Sequence, residues 1–353
     1  MNIINKHIIK TVFPGVLGAL IFLLAIAFLA NFISQLNLIG KGNYTVEKAL
    51  LYSLLELANF ASIFLPIAVL IGVVLRLGSL SASSELTVMQ ASGKSKISII
   101  FSVVQAILPF LIISIAISQW GVPQINRYAT KMYNQAIFKN SHIQTNNFWE
   151  KQGNTFIYVG GVNNNNLEYI RTYTFNNNHE LISKRLITYA NYKGNNNWEI
   201  HNYTTYNITP TKVTKIYNTK GMWRLNLKPK DLMYIGLEAN QLSITNLYRY
   251  ANYLKSTNQS YKSFYLSFWQ ELANPLSIIV MMLLGVSFVF GSLRSVGVGL
   301  RIVLGILVGF LFYVVNSIFG LVSLVYGFNA IASSFLPSLI VLGISIYLLL
   351  REN

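Results

Sequence analysis

Val12 to Leu36 reads VFPGVLGALIFLLAIAFLANFISQL, an apolar run without a single Asp, Glu, Lys or Arg. A helix needs about 20 apolar residues to cross the hydrocarbon layer of a membrane, which is about 30 Å thick. Inside that layer every backbone donor and acceptor must be satisfied, and an α-helix satisfies them within its own segment. The run therefore predicts a helix that spans a membrane.

Five more apolar runs follow, and a long polar stretch divides the six into three and three. They are approximately Leu54 to Leu80, Ile97 to Trp120, Leu272 to Gly291, Ile302 to Tyr326 and Ile331 to Leu350. A membrane β-barrel would show short alternating strands instead. The predicted fold is an α-helical membrane protein with six transmembrane helices, three in residues 1–121 and three in residues 271–353. Residues 122–270 form an inserted domain that faces water.

Basic residues are distributed unequally between the two sides of the six helices. Eight lie on one side: Lys6, Lys10, Arg76, Lys94, Lys96, Arg294, Arg301 and Arg351. The short loops of the other side carry only Lys41 and Lys48. Because cytoplasmic loops collect Lys and Arg, we expect both termini in the cytoplasm and residues 122–270 outside.

The inserted domain is rich in β-branched and aromatic residues, which favours strands. Six segments have this composition: Thr155 to Val162, Leu167 to Phe175, Leu181 to Ala190, Trp198 to Ile208, Thr211 to Thr219 and Met222 to Leu227. Clusters at Asn163 to Asn166, Asn176 to Asn178 and Asn195 to Asn197 suit turns, because Asn tolerates left-handed backbone angles. The pattern predicts a sandwich or jelly-roll sheet with helical flanks at Gln124 to Phe138 and Ser243 to Lys255.

Charge and cysteine content limit the kinds of partner and of site that this domain can have. The chain has a net charge of +16, and residues 122–270 hold 17 Lys and Arg against 6 Asp and Glu. Such a field favours an anionic partner. Anionic lipid or glycolipid is favoured over nucleic acid on the outer face of a membrane, and an ordinary solvated basic surface is the alternative. The chain has no cysteine, so disulfides and thiolate metal sites are excluded.

The motifs of common enzymes are missing from the sequence. The four histidines, His7, His142, His179 and His201, show no metal-ligand spacing. Gly93-Lys94-Ser95 resembles the end of a nucleotide-binding loop, but Val88 stands where the earlier glycine is required. We therefore expect no catalytic residue, no metal site and no bound cofactor, and no nucleotide hydrolysis by the chain itself.

The loop after the second apolar run is the most specific local signal. Ser84 to Gly93 reads SELTVMQASG. Ser84 suits the start of a short helix with the acid Glu85 in its first turn, and Gly93 suits its end. Leu86 and Met89 then share one face, and Glu85 is available to an external cation. A plain connecting turn is the alternative interpretation.

Two segments resemble those of a known family. The first is Glu85 to Gly93, and the second runs from Phe290 to Val296, FGSLRSV, and on through Gly305, Gly309-Phe310, Phe312-Tyr313 and Val325-Tyr326-Gly327. Both look like the LptF/LptG permeases of the lipopolysaccharide exporter, and the resemblance covers nearly the whole chain. Met89 to Gly93 and Leu293 to Val296 are closer to the LptG type.

The resemblance implies an assembly in the bacterial inner membrane. Six helices and a periplasmic β-jelly-roll domain would form one half of a heterodimer with an LptF-like permease. Two copies of an LptB-like cytoplasmic ATPase would bind and hydrolyse ATP beneath them. Lipopolysaccharide would leave the outer leaflet, enter a cavity between the permeases and pass through the periplasmic domains to LptC-like and LptA-like bridge proteins.

The resemblance also implies roles for particular residues. The coupling helix that contacts the ATPase would contain Glu85, Leu86 and Met89. The apolar cavity wall would include Phe64, Phe310 and Tyr313. Phosphates of the lipid need cations at the outer membrane surface, where Lys41, Arg127 and Lys131 lie. At the outer end of the first helix the family often has basic residues, and this chain departs from that pattern with Asn31, Asn37 and Leu38. The small-residue face at Gly305 and Gly309 would contact the partner permease.

Two other classes of function are compatible with six membrane helices and an external domain. A proton-coupled secondary transporter acting alone would require Glu56 or Glu271 and no ATPase. A non-transporting anchor would bind envelope glycolipid or protein through its β domain, and its cytoplasmic loop would be dispensable.

Overall fold

The computed structural model of the chain describes residues 3–137, 148–163, 166–227, 237–257, 259–291 and 297–351. His142, the middle of the Asn163 to Asn166 turn and residues 292–296 of the second resembling segment lie outside these ranges. The described residues contain six helices long and apolar enough to cross a membrane, by length and composition. The prediction of six transmembrane helices is thus confirmed.

The described residues form nine α-helices, numbered in chain order. They are α1 (Ile3–Leu36), α2 (Val46–Ala82), α3 (Glu85–Ala91), α4 (Lys96–Ala116), α5 (Val122–Ile137), α6 (Ile244–Ser256), α7 (Lys262–Phe290), α8 (Val298–Tyr326) and α9 (Ala330–Arg351). A π-helical turn, Ile117–Gly121, joins α4 to α5. The membrane helices are therefore α1, α2, α4 with α5, α7, α8 and α9.

The chain forms two compact units whose limits differ from the predicted domains. One unit contains residues 1–137, 243–245 and 262–353, and the other contains residues 138–242 and 246–261. The predicted boundaries at 121 and 271 followed hydropathy, but α5 and the start of α7 continue as helix beyond the apolar runs. Polar, amphipathic turns of helix belong with the membrane unit because their small or apolar side packs inward, as Ala129 and Ala136 do on α5.

The membrane unit is built around α2 and α7. In each, 61% of the most apolar stretch is buried within the chain, against 6% in α1. A Cβ at Gly72 of α2 would lie 2.5 Å from the Cα of Val16, so α1 and α2 approach closely at this glycine. The outer sides of α1, α8 and α9 keep large apolar residues uncovered, among them Ile21, Leu307 and Leu339.

The second unit contains one antiparallel sheet in sequential strand order. The strands are β1 (Phe148–Gln152), β2 (Thr155–Asn163), β3 (Asn166–Phe175), β4 (Leu181–Gly194), β5 (Asn197–Ile208) and β6 (Val213–Arg224). The predicted helical membrane protein with a β domain inserted between its third and fourth membrane helices is confirmed. Its described strands form a single sheet in sequential order, whereas the predicted sandwich or jelly roll has two packed sheets. Strand β1 was not predicted, because two charged residues in five hide its apolar pattern.

The last two predicted strands are one strand, β6. The sequence suggests a break at Gly221, but this residue pairs with Ile200 and continues the ladder. A Cβ at Gly221 would lie 2.8 Å from the hydroxyl oxygen of Tyr203, so a glycine makes room for this ring. The turn between β4 and β5 is as predicted, with Asn195 and Asn196 at left-handed angles.

The core of the sheet unit is formed by alternate strand residues and by α6. Ile157, Val159 and Ile170 are buried on the sheet, and α6 buries its Leu247, Tyr250, Ala251 and Leu254. The indole of Trp198 is fully buried and donates a hydrogen bond to the carbonyl of Leu227 at 3.0 Å. The predicted helix at Ser243 to Lys255 is therefore present, and its apolar face is used in packing.

Candidate functional site

The short helix α3 begins differently from the prediction. Ser84 has a left-handed backbone with φ of 61° and makes no side-chain capping bond, so its predicted capping role is wrong. The hydroxyl of Ser83 instead donates to the Glu85 carboxylate at 2.9 Å. This bond fixes the acid at the first position of α3, where the positive end of the helix also favours it.

The end of α3 follows the prediction. Gly93 has φ of 91°, which a glycine adopts without strain. Its N–H donates to the carbonyl of Gln90 at 3.0 Å, and the N–H of Lys94 donates to the carbonyl of Met89 at 3.1 Å. These two bonds are the Schellman motif that satisfies the last carbonyls of a helix.

The apolar side of α3 packs into the membrane unit. Leu86 and Met89 are buried in the same core cluster as Leu80 and Ile99. They anchor α3 to its own chain and do not present an outward surface. Val88, which the sequence reasoning did not select, is 66% exposed and lies on the outer side of the helix.

Glu85 is bonded to a residue from the start of α1. Its Oε2 lies 2.9 Å from Nε2 of His7, and both side chains stay nearly half exposed. The Ser83 hydroxyl, followed by the His7 imidazole, holds the pKa of the Glu85 carboxyl below its usual range. The sequence reasoning considered His7 only as a metal ligand, and a separation of 78 residues gave no signal of this contact.

The three predicted cavity-wall residues occupy two helices. Phe310 and Tyr313 are three residues apart on α8, on one side of the helix, and Phe310 is 60% exposed. Phe64 on α2 is half-buried, packs against a cluster with Ala19 and Ile67, and stacks on Phe60 at 6.1 Å between ring centroids. Phe310 and Tyr313 thus present rings outward from the chain, and Phe64 does so only in part.

A cavity of about 240 Å³ lies between α2, α7, α8 and α9. Its polar lining includes Ser62, Gln270, Glu271, Asn274, Asn316 and Ser334, and Tyr313 borders it. The Oε2 atom of Glu271 is buried and makes no hydrogen bond to another described residue. The side chain of Glu271 also forms a hydrogen bond with that of Ser118. The cavity is lined by both apolar and polar groups, and Oε2 is the carboxyl oxygen without a partner among the described residues.

The three predicted phosphate-binding cations lie on two neighbouring elements of the membrane unit. Lys41 is exposed in the loop after α1, and the N–H of Asn43 in that loop donates to the carbonyl of Ala136 at 2.6 Å. Arg127 and Lys131 are four residues apart on α5 and therefore share one side of it. The fold thus joins the loop that carries Lys41 to the helix that carries the other two cations.

The glycines of α8 do not form the predicted interface with a partner permease. A Cβ at Gly305 would lie 3.3 Å from Cγ1 of Ile71, and a Cβ at Gly309 would lie 2.6 Å from Cγ2 of Ile67. Both glycines therefore pack against α2 of the same chain. The prediction is wrong because a small-residue pattern shows that a helix approaches another closely, but not which helix.

Arg301 is a feature that the sequence reasoning placed only at a helix end. The whole residue is buried, and its guanidinium fills the space beside Gly78 of α2, where a Cβ would lie 2.4 Å from Nη1. A buried arginine against a glycine links α8 to the last turns of α2, which lead directly into α3.

Comparisons with known proteins identify the family of the chain. Residues 6–351 match the family model described as lipopolysaccharide export system permease LptF/LptG. The lipopolysaccharide export system permease protein LptG of Escherichia coli strain K12 is 36% identical over 356 residues, which cover 100% of this chain and 99% of the relative. The protein of the same name from Haemophilus influenzae is 34% identical with the same coverage. The chain belongs to the LptF/LptG family of lipopolysaccharide export system permeases.

Proposed function

We propose that this chain is the LptG-type permease of an ATP-driven exporter that extracts lipopolysaccharide from the outer leaflet of the bacterial inner membrane. The observation that carries the proposal is the end-to-end match to permeases named for lipopolysaccharide export. The extracted lipid then passes through the β domain, which lies in the periplasm while both termini are cytoplasmic. The excess of Lys and Arg at one set of helix ends supports this orientation.

A second permease of the LptF type covers part of the membrane unit. The outer sides of α1 and α8 carry uncovered apolar residues along most of their length, including Ile21, Leu29, Val303 and Leu307. Lipid or a partner helix satisfies such surfaces equally well, since neither exposes them to water. The wall of the substrate cavity is assigned to the same region, with Phe310 and Tyr313 facing the acyl chains.

Energy comes from a separate ATPase of the LptB type, two copies of which bind below the permeases. The chain is a transporter subunit without a catalytic site or cofactor of its own, and ATP binds to the ATPase. Helix α3 couples the two proteins, with Glu85 and Val88 outward and with Leu86 and Met89 holding the helix in its own bundle. Rigid anchoring lets a movement of α3 reach α2 and, through Arg301 and Gly78, α8.

The charged part of the substrate is bound at the outer membrane surface. Lys41, Arg127 and Lys131 carry the cations that the lipid phosphates require there, and partial desolvation strengthens each contact. LptC-like and LptA-like bridge proteins receive the lipid from the β domain.

Purification of the tagged chain from its native membranes in mild detergent tests the assembly. Mass spectrometry should identify a second six-helix permease and a small soluble ATPase, with two ATPase copies in the intact complex. The complex in proteoliposomes should then release lipopolysaccharide only when ATP is added. A chain that purifies alone, or release that needs no ATP, contradicts the proposal.

The secondary transporter is the second candidate, and the Glu271 cavity is the observation that favours it. A carboxyl group that lines a cavity within a membrane bundle is typical of proton relays. Glu56 is a poorer candidate, because Asn59 donates to its carboxylate at 2.7 Å and Tyr52 at 3.3 Å, so its bonds serve the packing of α2.

A further inference from the structure

One face of the sheet carries aromatic and cationic side chains at neighbouring positions. Trp149, Tyr158 and Arg171 lie opposite one another across β1, β2 and β3. Tyr173 and Lys184 form the next row on β3 and β4. Opposed residues, and residues two apart on one strand, point to the same side of an antiparallel sheet. These five side chains therefore belong to one surface.

Direct contacts between the side chains confirm the surface. The Trp149 ring lies 5.2 Å from the Tyr158 ring and 6.0 Å from the Tyr173 ring, between centroids. The Arg171 guanidinium lies 5.7 Å from the centroid of Tyr158, and the Lys184 ammonium lies 5.8 Å from that of Tyr173. Each cation is held in place by an aromatic ring and keeps its charge available to a ligand.

Lys151 extends the surface at β1, where its ammonium lies 5.3 Å from the ring of Phe156. We call the whole set the aromatic–cation face. It consists of Trp149, Lys151, Tyr158, Arg171, Tyr173 and Lys184. Trp149 is 58% exposed, and Lys151 and Arg171 are exposed as well. The opposite side of the same strands is the buried core with Ile157 and Ile170, so the two faces of the sheet differ completely in character.

The aromatic–cation face has no carboxylate of its own. The two cross-strand rows that contain it run from β1 to β6 and include four cations, the fourth being Lys215, and no Asp or Glu. Carboxylates elsewhere in the sheet unit have other partners: Glu199 pairs with Lys193 at 3.1 Å, and buried Glu150 accepts from Tyr253 at 3.2 Å. The charge of the face is therefore left for an external anion.

The dimensions of the face favour an extended anion. Neighbouring strands lie about 4.8 Å apart, so the cations on β1, β3 and β4 spread over about 14 Å. One phosphate reaches at most the diagonal neighbours Arg171 and Lys184, whereas an oligosaccharide with several phosphates also reaches Lys151 on β1. The flat faces of Trp149 and Tyr173 suit the C–H side of a sugar ring, and a guanidinium binds phosphate through two parallel hydrogen bonds.

We propose that the aromatic–cation face, which lies outside the buried core of the sheet, binds the phosphorylated saccharide of the exported glycolipid. The source of the saccharide rests on the proposed function, but the binding chemistry rests on the face alone. The saccharide of the glycolipid thus has a separate binding site on the β domain while the lipid passes through that domain.

Binding to the full chain in nanodiscs of phosphatidylcholine tests the proposal, since that lipid has no net charge. The probe is the phosphorylated core oligosaccharide that mild acid releases from lipopolysaccharide, measured by isothermal titration calorimetry. We expect the natural chain to bind it and R171Q/K184Q to bind at least tenfold more weakly. The matched control K212Q/K220Q removes the same charge from exposed lysines outside the face and should change the affinity less than twofold.

The aromatic part is tested with Trp149→Ala, which changes no charge. We expect a loss of affinity of several fold, restored by Trp149→Phe, with unchanged circular dichroism in all variants. The proposal is overturned if the natural chain does not bind the oligosaccharide, or if both double variants lose the same amount of affinity. It is also overturned if a single-stranded oligonucleotide of the same charge binds more tightly than the oligosaccharide. Because no ATPase is present, failure of ATP-driven export would leave this result unchanged and would contradict only the proposed function.

Discussion

His7 and Glu85 meet at 2.9 Å, and this contact joins the first turns of α1 to the first residue of α3. Leu86 and Met89 hold α3 from its apolar side, so the acid is fixed by two independent attachments. In the proposed exporter this arrangement keeps Glu85 in one position while nearly half of its side chain stays open to a partner.

Replacement of His7 should reduce transport without preventing insertion. A contact between exposed groups contributes about 0.5–1 kcal/mol, so we expect His7→Ala to lower ATP-driven release of lipopolysaccharide about two- to fivefold. His7→Gln keeps a hydrogen-bond donor and should retain more activity than the alanine variant. Equal activity in all three chains would show that the contact does not position Glu85.

Reversal of the charge at position 85 has a larger expected effect. Glu85→Arg should abolish ATP-driven release and lower recovery of the ATPase with the tagged chain, because the acid is the outward charge of α3. Val88→Ala removes exposed apolar surface from the same helix without a charge and serves as the comparison, with a smaller loss expected. Normal export by Glu85→Arg would exclude the coupling role.

The stability of α3 should depend on pH because the Glu85 carboxyl group titrates. Because Ser83 and then His7 lower its pKa below the usual 4.5, the ionised carboxyl stabilises the folded helix above that pH. This stabilisation is lost as the pH falls through the lower pKa that Glu85 has in the folded state. Hydrogen exchange of α3 amides, corrected for intrinsic rates, should therefore rise only below about pH 4.5. Ser83→Ala should shift the rise to higher pH, and Glu85→Gln should remove it.

The membrane spans could be predicted from the sequence because the thickness of the bilayer sets the number of consecutive apolar residues that a spanning helix needs. Such runs can be read directly from the sequence. The helical flank predicted at Gln124 to Phe138 is confirmed by α5 (Val122–Ile137). The sequence did not predict the start of α7, where the polar residues from Lys262 to Glu271 extend the helix beyond the apolar run. Strand existence was predicted well where Asn clusters mark turns, and poorly for β1 and at Gly221.

The sequence did not predict how each helix is rotated about its axis, and therefore did not predict which neighbour each of its faces contacts. Gly305 and Gly309 were predicted to face another chain and instead face Ile71 and Ile67 of α2. The contact between His7 and Glu85 likewise depends on how α1 lies against α2, which no local pattern specifies. Candidate residues were thus identified by type and position, but their partners follow from packing.

The packing of α8 on α2 is tested by Gly309→Ala. The added Cβ would lie 2.6 Å from a methyl group of Ile67 that cannot rotate away, so the helices must separate. We expect a destabilisation of about 1–3 kcal/mol, the usual cost of overpacking, seen as a lower Tm in detergent. Gly18→Ala on α1 is the control, since its Cβ meets no atom within 4 Å. An unchanged Tm in Gly309→Ala would contradict the close packing of Gly309 against Ile67.

The variant Glu271→Gln, beside the cavity, distinguishes an ATP-driven exporter from a proton-coupled transporter. The amide has nearly the same shape and keeps an oxygen that accepts hydrogen bonds, but it carries no carboxyl proton. In an exporter driven by ATP we expect release within about twofold of the natural chain, because ATP-driven transport requires no proton transfer by Glu271. In a proton-coupled transporter the same change removes the coupling carboxyl and abolishes transport. Release measured in proteoliposomes with ATP, and separately with an imposed pH gradient, distinguishes these outcomes, and Glu56→Gln in the same assay tests the other carboxyl.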